Sequence, residues 1–586
     1  MCIRSINDPT QFSYFVDTCE KIRTTTSKNM KVNILSKYLL SLNDDEPLSI
    51  AVLFFSNRIF SRGSKFVMNT GVSTIIQVLS EIATMDSKQI QHVYLQHGDI
   101  GALAEYAASN KNMVSLFQQQ PLTLLSTYDR LKEIADTIGS GSTKNKKKVL
   151  KGLLMDSSPL EAKYLIKIIN GEMRIGLTEG LVEIAISEAF CQDLKHVRDA
   201  MLFLGDISQL AMLAKRNLLH TALIKPLTPL SYMLADVMFT AEEIMAYYQK
   251  PLICEFKYDG IRAQMHKFGQ EIRLFSRRLS DVTRSFPELA NAAAEMKMLL
   301  STSTSQSNVD FILDGEIMAF QNGNPLHFQE LQKRLHKKNL TEQIMAQIPV
   351  VYIVYDIMYF NGENLIRKSI KERKEILPTI HFNESIINSG YKLVNSEEEI
   401  IEMFEKSRDI GHEGLLLKDP DSYYHPGKRG KFWVKMKKEL DTIDAVVVIA
   451  EYGHGKRAGM LSDYTFAVKD DPDNNSNKLR TIGKAYSGLT DYEIAELTKK
   501  LKSIMIKDEG IRILVKPEIV LEIAFDSIQK SSRHDSGFAL RFPRIKNIRE
   551  DKTISDIDSL QKVKQIYEKQ TLIMSKRRGH GDTTVC

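Results

Sequence analysis

Cysteine is scarce in this chain of 586 residues, and what there is forms no pattern. Cys2, Cys19, Cys191, Cys254 and Cys586 are odd in number, far apart and never paired as CxxC. That excludes a disulfide framework and a four-cysteine zinc module, and it fits a reducing intracellular setting. Long apolar runs are also missing. A run such as Ala445–Ala450 is far too short to cross a bilayer. The opening residues, MCIRSINDPTQFSYF, lack a basic stretch followed by an apolar one, so no secretory signal is expected. Charge excess is small: the net charge is +6 and the pI about 8.7. This leans only slightly toward a polyanionic partner. The expectation is a soluble protein without a membrane partner, cytoplasmic and nucleoid-associated in a prokaryotic source, nuclear in a eukaryotic one.

What is present is ordinary globular composition, with 43% hydrophobic and 26% charged residues. The length exceeds what one core can serve, which predicts several domains. Residues 1–225 read as helical: Leu35, Tyr38, Leu39 and Leu42 recur at helical spacing, as do Leu160, Tyr164, Leu165, Ile168 and Ile169 before Gly171. Residues 226–438 read as strands and turns with interspersed helices, including a helix predicted from Pro287 to Leu300 and a capping box at Ser396 and Glu399. Residues 439–586 read as a small β-barrel, a helical stretch around Ile557–Ile566 and a basic tail, SKRRGHGDTTVC.

Chemistry-bearing residues concentrate in the middle region. Lys257 ends a strand in EFKYDGIR, just before the turn Asp259-Gly260. A lone surface lysine there would mean nothing. A lysine becomes a nucleophile only when neighbours adjust its protonation, so the same pocket must hold other charges. Asp314 and Glu316 in LDGEIMAF lie two apart on one strand face, as do Lys435 and Lys437 in FWVKMKK. Glu413 sits where a helix gives way to the strand Leu415–Lys418. Each pair alone is what a half-exposed strand commonly carries.

Taken in order, KxDGxR, DGE, EGLLLK and WVKMKK closely resemble the motif set of the nucleotidyltransferase superfamily of DNA ligases, RNA ligases and capping enzymes. The resemblance implies that Lys257 takes AMP from ATP. It implies that Lys435 and Lys437 hold the α-phosphate and lower the amine's proton affinity. Glu413 resembles the family's Mg²⁺-binding glutamate, and Glu316 a residue that contacts ribose or metal. Glu255, Arg262 and Arg277 fall among its nucleotide-binding positions, the arginines facing sugar or phosphate. Tyr355 occupies the place of an aromatic that stacks on adenine, where relatives often carry Phe.

Three further segments select the ATP-dependent DNA ligases of archaeal and eukaryotic replicative type. The run GFALRFPR followed by Arg549-Glu550-Asp551-Lys552 resembles their last motif, which closes over the β- and γ-phosphates; Arg541 and Lys552 are its candidate contacts. GHGKRAGMLSDY (Gly453–Tyr464) resembles the loop opening their OB-fold domain, with Lys435–Asp444 as the hinge. GEMRIGL (Gly171–Leu177), and Gly139-Ser140-Gly141-Ser142 with Lys144, Lys146, Lys147 and Lys148, resemble their DNA-binding domain. Glycines at a helix start and nearby lysines suit sequence-independent phosphate contact. The implied architecture is multidomain: an all-α DNA-binding domain, an α+β adenylation domain and a β-barrel OB-fold domain. The implied partner is nicked duplex DNA, met as a monomer, with a candidate sliding-clamp contact at Met113–Phe117. A capping enzyme or RNA ligase is the rival enzyme and a catalytically idle DNA scaffold the rival binding protein. The helical region and the ALRFPR run oppose the first, and the intact motifs oppose the second.

Overall fold

The computed structural model describes residues 8–577, apart from 65, 87–88, 91–92, 95–97, 112–120, 138, 140, 299–306, 322–323, 327, 336–339, 411, 438–440, 454–456, 458 and 471–477. The candidate clamp segment Met113–Phe117, part of the hinge, part of the Gly453–Tyr464 loop and the end of the basic tail lie outside the described residues.

Residues Phe12 to Lys215 fold as helices around one apolar core that runs from Phe12 to Ala222. Local chemistry sets the helix limits. Ser158 and Glu161 form a reciprocal capping box, Pro159 opens the helix Pro159–Asn170, and Gly171 ends it at φ 70°. The GEMRIGL loop that follows is braced on three sides. Met173 N–H donates to Asn57 (2.9 Å), Lys31 Nζ donates to the Ile175 carbonyl (2.6 Å), and Arg174 pairs with Asp99 (3.1 Å). Gly141, at φ 80°, caps the helix Ser142–Met155, and no side chain caps it in its place. A Cβ on Gly141 would meet open space, so this helix start faces outward with Lys144 and Lys148 exposed beside it.

The link to the middle region is stitched down. Leu227 N–H donates to His266 Nδ1 (3.1 Å), and Leu230 exchanges hydrogen bonds with the Gln264 amide (3.0 and 2.7 Å). Burial holds His266 neutral, pushing its imidazole down to about 3.

The middle region stacks two sheets. The first contains β1 (Leu234–Met238), β2 (Leu252–Lys257), β7 (Lys392–Val394), β8 (Gly414–Lys418) and β9 (Arg429–Lys437), in the order β1-β9-β8-β2-β7. The second is built on β6 (Val350–Phe360), β5 (Phe311–Gln321), β3 (Ile261–Phe268) and β4 (Glu271–Ser276), in that order. Register decides what meets. Gly414 lies opposite both Lys257 and Lys437, Leu416 lies opposite both Glu255 and Lys435, and Arg262 lies opposite Glu316.

The helix expected over Pro287–Leu300 stops at Glu295. Buried Lys267 ends it by donating to the carbonyls of Ala293, Ala294 and Met296 at 2.8–3.0 Å, a cap from a distant strand that satisfies the last turn. The expected capping box at Ser396 forms only half as drawn: Ser396 Oγ accepts from Glu399 N–H, but the Glu399 carboxylate accepts from Asn395 N–H.

The C-terminal region is β-rich. β10 (Asp441–Tyr452) pairs with β11 (Leu461–Lys469), β14 (Arg512–Val515) and β15 (Val520–Phe525), and carries the sheet order β12-β11-β10-β14-β13, with β12 at Leu479–Ala485 and β13 at Met505–Asp508. β16 (Ser527–Lys530) pairs with β17 (Phe538–Arg541), and β18 (Arg544–Ile548) with β15. Its core gathers Val447, Phe466, Ile513, Ile523 and Val563, the last from the helix Leu560–Arg577. Among the described residues no helix is long and apolar enough to cross a membrane.

Candidate active site

Lys257 ends β2 because the chain turns immediately at Asp259-Gly260. Gly260 is required there: a Cβ would collide with the Ile317 carbonyl and come within 2.8 Å of Glu316 Cγ. The tight turn therefore presses the lysine's loop against β5 and brings Glu316 beside it.

One carboxylate organises the open end of the first sheet. Glu413 Oε2 lies 2.5 Å from Lys257 Nζ and 2.5 Å from Lys437 Nζ. Burial alone would raise the Glu413 carboxyl, but the two ammonium groups outweigh it and hold it at about 2. The sequence reading set two cations directly against Lys257; the structure places an anion between two of the three. Lys435 stands on the same strand face, lowered by burial and then by Arg429, Lys437, Lys257 and Arg277. Arg277 follows β4 and is exposed. Lys435 thus feels the charge of four other cations, two of which, Lys257 and Lys437, meet at Glu413.

Glu316 is pushed up to about 8, chiefly by burial, against the pull of Lys257 and Arg262. Asp259 is raised by burial and by Glu413, and Arg541 of the barrel reaches it at 3.4 Å. The sequence offered no sign of that contact. On the barrel itself Lys552 lies 2.6 Å from Asp444.

Beneath the mouth the sheets are sealed. Arg262 grips Asp314 with two hydrogen bonds (3.1 and 2.7 Å) and donates to the Met233 carbonyl (2.8 Å). Asp314 also accepts from Tyr424 Oη (2.8 Å). Glu255 is only 1% exposed; one oxygen meets Lys418 at 2.5 Å and the other meets Lys374. Its two oxygens, expected to face a nucleotide, are each taken up by one of these lysines. Tyr355 is buried, with Lys418 Nζ 4.9 Å and Arg262 5.8 Å from its ring centre, so the ring expected to meet adenine is flanked by cations. Arg373 and Asp356, both fully buried, complete the floor at 2.7 and 2.8 Å. Lys374 and Arg373 come from the helix Ile370–Ile376, and no spacing in the sequence ties them to Glu255.

The arrangement suits a phosphorylated ligand: a cationic rim, a lysine amine within it and an ionised carboxylate able to meet a hard cation. Three family models match in chain order. Residues 11–187 match the DNA ligase N terminus, 232–437 the ATP dependent DNA ligase domain, and 457–552 the ATP dependent DNA ligase C terminal region. A "Probable DNA ligase" of Koribacter versatilis is 37% identical, over 97% of this chain and 98% of that one. The chain belongs to the ATP-dependent DNA ligase family. A DNA ligase of Methanoculleus marisnigri is 34% identical over 96% and 98% of the two chains, and one of Archaeoglobus fulgidus is 31% identical over 95% and 99%. The solved structure titled "Pmar-Lig_PreS3" shares the fold, with a TM-score of 0.55 at 17% identity over 91% of this ligase and 99% of that chain. The helical, nucleotidyltransferase and β-rich OB-like regions are therefore those of an ATP-dependent DNA ligase.

Proposed function

We propose that this ligase seals nicks in duplex DNA through a covalent lysyl-AMP on Lys257. In the first step the amine, having lost its proton, attacks the α-phosphorus of ATP. A P–N bond forms, the bond to the bridging oxygen breaks, and pyrophosphate leaves. In the second step the 5′-phosphate at a nick attacks the same phosphorus, and Lys257 is released. In the third the 3′-hydroxyl attacks the adenylated 5′-phosphate, and AMP leaves as the phosphodiester forms.

The observation that carries this reading is the Lys257–Glu413–Lys437 cluster at the rim. Glu413, held at about 2, is too weak a base to take the amine's proton near neutrality. Its ionised, partly exposed carboxylate fits instead as an oxygen ligand for Mg²⁺; Glu316, which burial raises to about 8, would serve as a second donor only on giving up its proton to the metal's charge. Bound there, Mg²⁺ would supply positive charge to the phosphates. Lys435, Lys437 and Arg277 hold the α-phosphate and sugar side, Tyr355 walls the purine site, and Arg262 is aimed by Asp314. Arg541 and Lys552 take the β- and γ-phosphates when the barrel closes. The outward helix start at Gly141 with Lys144 and Lys148 supports a DNA phosphate. Phosphate contacts of this kind are indifferent to sequence, as a nick-sealing enzyme requires. The reading extends to a monomer serving replication, repair and recombination.

The test is gel-based sealing of a nicked duplex with ATP, GTP, ADP or NAD and Mg²⁺. ATP alone should support sealing, and Lys257→Ala should not seal. Sealing by Lys257→Ala at the parent rate contradicts the mechanism.

A further inference from the structure

Lys552 is the part of the proposed triphosphate-binding motif that lies farthest along the chain, and its partner stands far back in sequence. Asp444 is the fourth residue of β10, at the root of the barrel. Its Oδ2 lies 2.6 Å from Lys552 Nζ, and its Oδ1 lies 3.5 Å from Arg549 Nη1. Both cations sit in the turn after β18, where Lys552 N–H donates to the Arg549 carbonyl (3.3 Å) and Arg549 N–H to the Val520 carbonyl (2.9 Å). The Asp444 main chain is itself pinned: its N–H donates to the Asp558 carboxylate, and Asp558 N–H returns the bond to the Asp444 carbonyl, each at 2.9 Å. One rigidly mounted carboxylate thus stands between two cations of one turn. Among the described residues it is the carboxylate paired with Lys552, whereas Arg549 is also held by Asp551 at 2.8 and 2.6 Å.

We propose that Asp444 is a positioning residue for the first chemical step, holding Lys552 and Arg549 as a preset pair for the β- and γ-phosphates. This rests on the reading of Lys552 as a phosphate contact. Lysine is a flexible chain with three donors. Asp444 occupies one of them and fixes the direction of the head, leaving the others for phosphate oxygens. It also offsets the repulsion between two like charges a few residues apart. Asp444, Arg549 and Lys552 all belong to the barrel, so the set travels intact with it. Arg541 differs, because its partner Asp259 lies in the adenylation region. Preset donors need no reorganisation when the phosphates arrive, which lowers the cost of binding them.

The discriminating experiment compares Asp444→Asn, Lys552→Gln and the double variant in two reactions of the full chain. One is self-adenylation from labelled ATP; the other is sealing of a nick whose 5′ end already carries AMP, which needs no triphosphate. Asp444→Asn should raise KM for ATP in self-adenylation about tenfold while sealing of the adenylated nick stays within about twofold of the parent. In the Lys552→Gln background it should add much less than tenfold, because only its looser hold on Arg549, which Asp551 shares, is left to lose. Equal losses in both reactions, or losses that multiply in the double variant, would mean that Asp444 merely supports the barrel and would overturn the proposal. If Lys552→Gln self-adenylates like the parent, the reading of the motif as a phosphate contact falls as well. If Lys552→Gln is impaired and Asp444→Asn is not, this inference alone falls.

Discussion

Two carboxylates in this ligase each meet two lysines, and their surroundings give them opposite uses. Glu413 joins Lys257 and Lys437 with side chains 20–30% open to solvent (22%, 21% and 30%). Glu255, two residues before Lys257 on the same strand, joins Lys374 and Lys418 with 3% exposure or less. The residue types match and the sheet is shared. A sealed ion group cannot exchange partners without leaving a charge uncompensated, so it serves as a fixed floor. A group at the rim can trade a lysine for a phosphate or a metal at small cost, because water compensates the loss. On the proposed mechanism, depth separates scaffold from reaction site.

The comparison breaks most sharply at Lys257. Lys257→Ala should lower self-adenylation by about 10⁴-fold or more, with little change in melting temperature, as measured by label incorporation and thermal unfolding. The reverse pattern belongs to the floor. Lys418→Met should destabilise the fold by about 3–5 kcal/mol in urea unfolding, since it leaves one Glu255 oxygen buried without its ion-pair partner while Lys374 holds the other. Its rim counterpart, Lys437→Met, should cost under about 1 kcal/mol of stability yet lower self-adenylation about 10²-fold. A Lys437→Met protein as unstable as Lys418→Met would erase the distinction. Arg541→Ala should slow self-adenylation by about tenfold more than it slows sealing of a nick that already carries AMP.

The smallest effect is a pH dependence. Glu413 is depressed from the ordinary carboxylate range to about 2. The folded state therefore binds its proton less readily than the unfolded chain, and the stabilisation is complete above about pH 4.5. It is lost as pH falls through about 2. Stability of the parent relative to Glu413→Gln should decline over that window and stay level above pH 5; a flat difference from pH 5 to 2 would show that the pair with the two lysines does not form.

The legible parts of the site were those written within a few residues of one another. Strand alternation set Asp314 with Glu316 and Lys435 with Lys437 on shared faces, but their candidacy as site residues, like that of Lys257, rested on the resemblance of the ordered motifs to a known family. The contacts that give these groups their environments are long-range. Asp259 meets Arg541 across 282 residues, and Asp444 meets Lys552 across 108. Lys374 comes from a helix whose own sequence gives no hint of Glu255. The same cause shortened the helix after Pro287: Lys267, a strand residue, caps its end, and no local signal at Glu295 marks the stop. The helical region was easier at Gly171, which marks its helix end locally; the Ser158–Glu161 box at the other end is equally local but was not among the expected caps.

The decisive measurement is peptide mass mapping of the full chain after incubation with ATP and Mg²⁺, before and after addition of nicked duplex. The account predicts one AMP on the lysine of the peptide containing Glu255-Phe256-Lys257, lost in step with the appearance of sealed strand. AMP on a different residue, or sealing with Lys257 never modified, would contradict it.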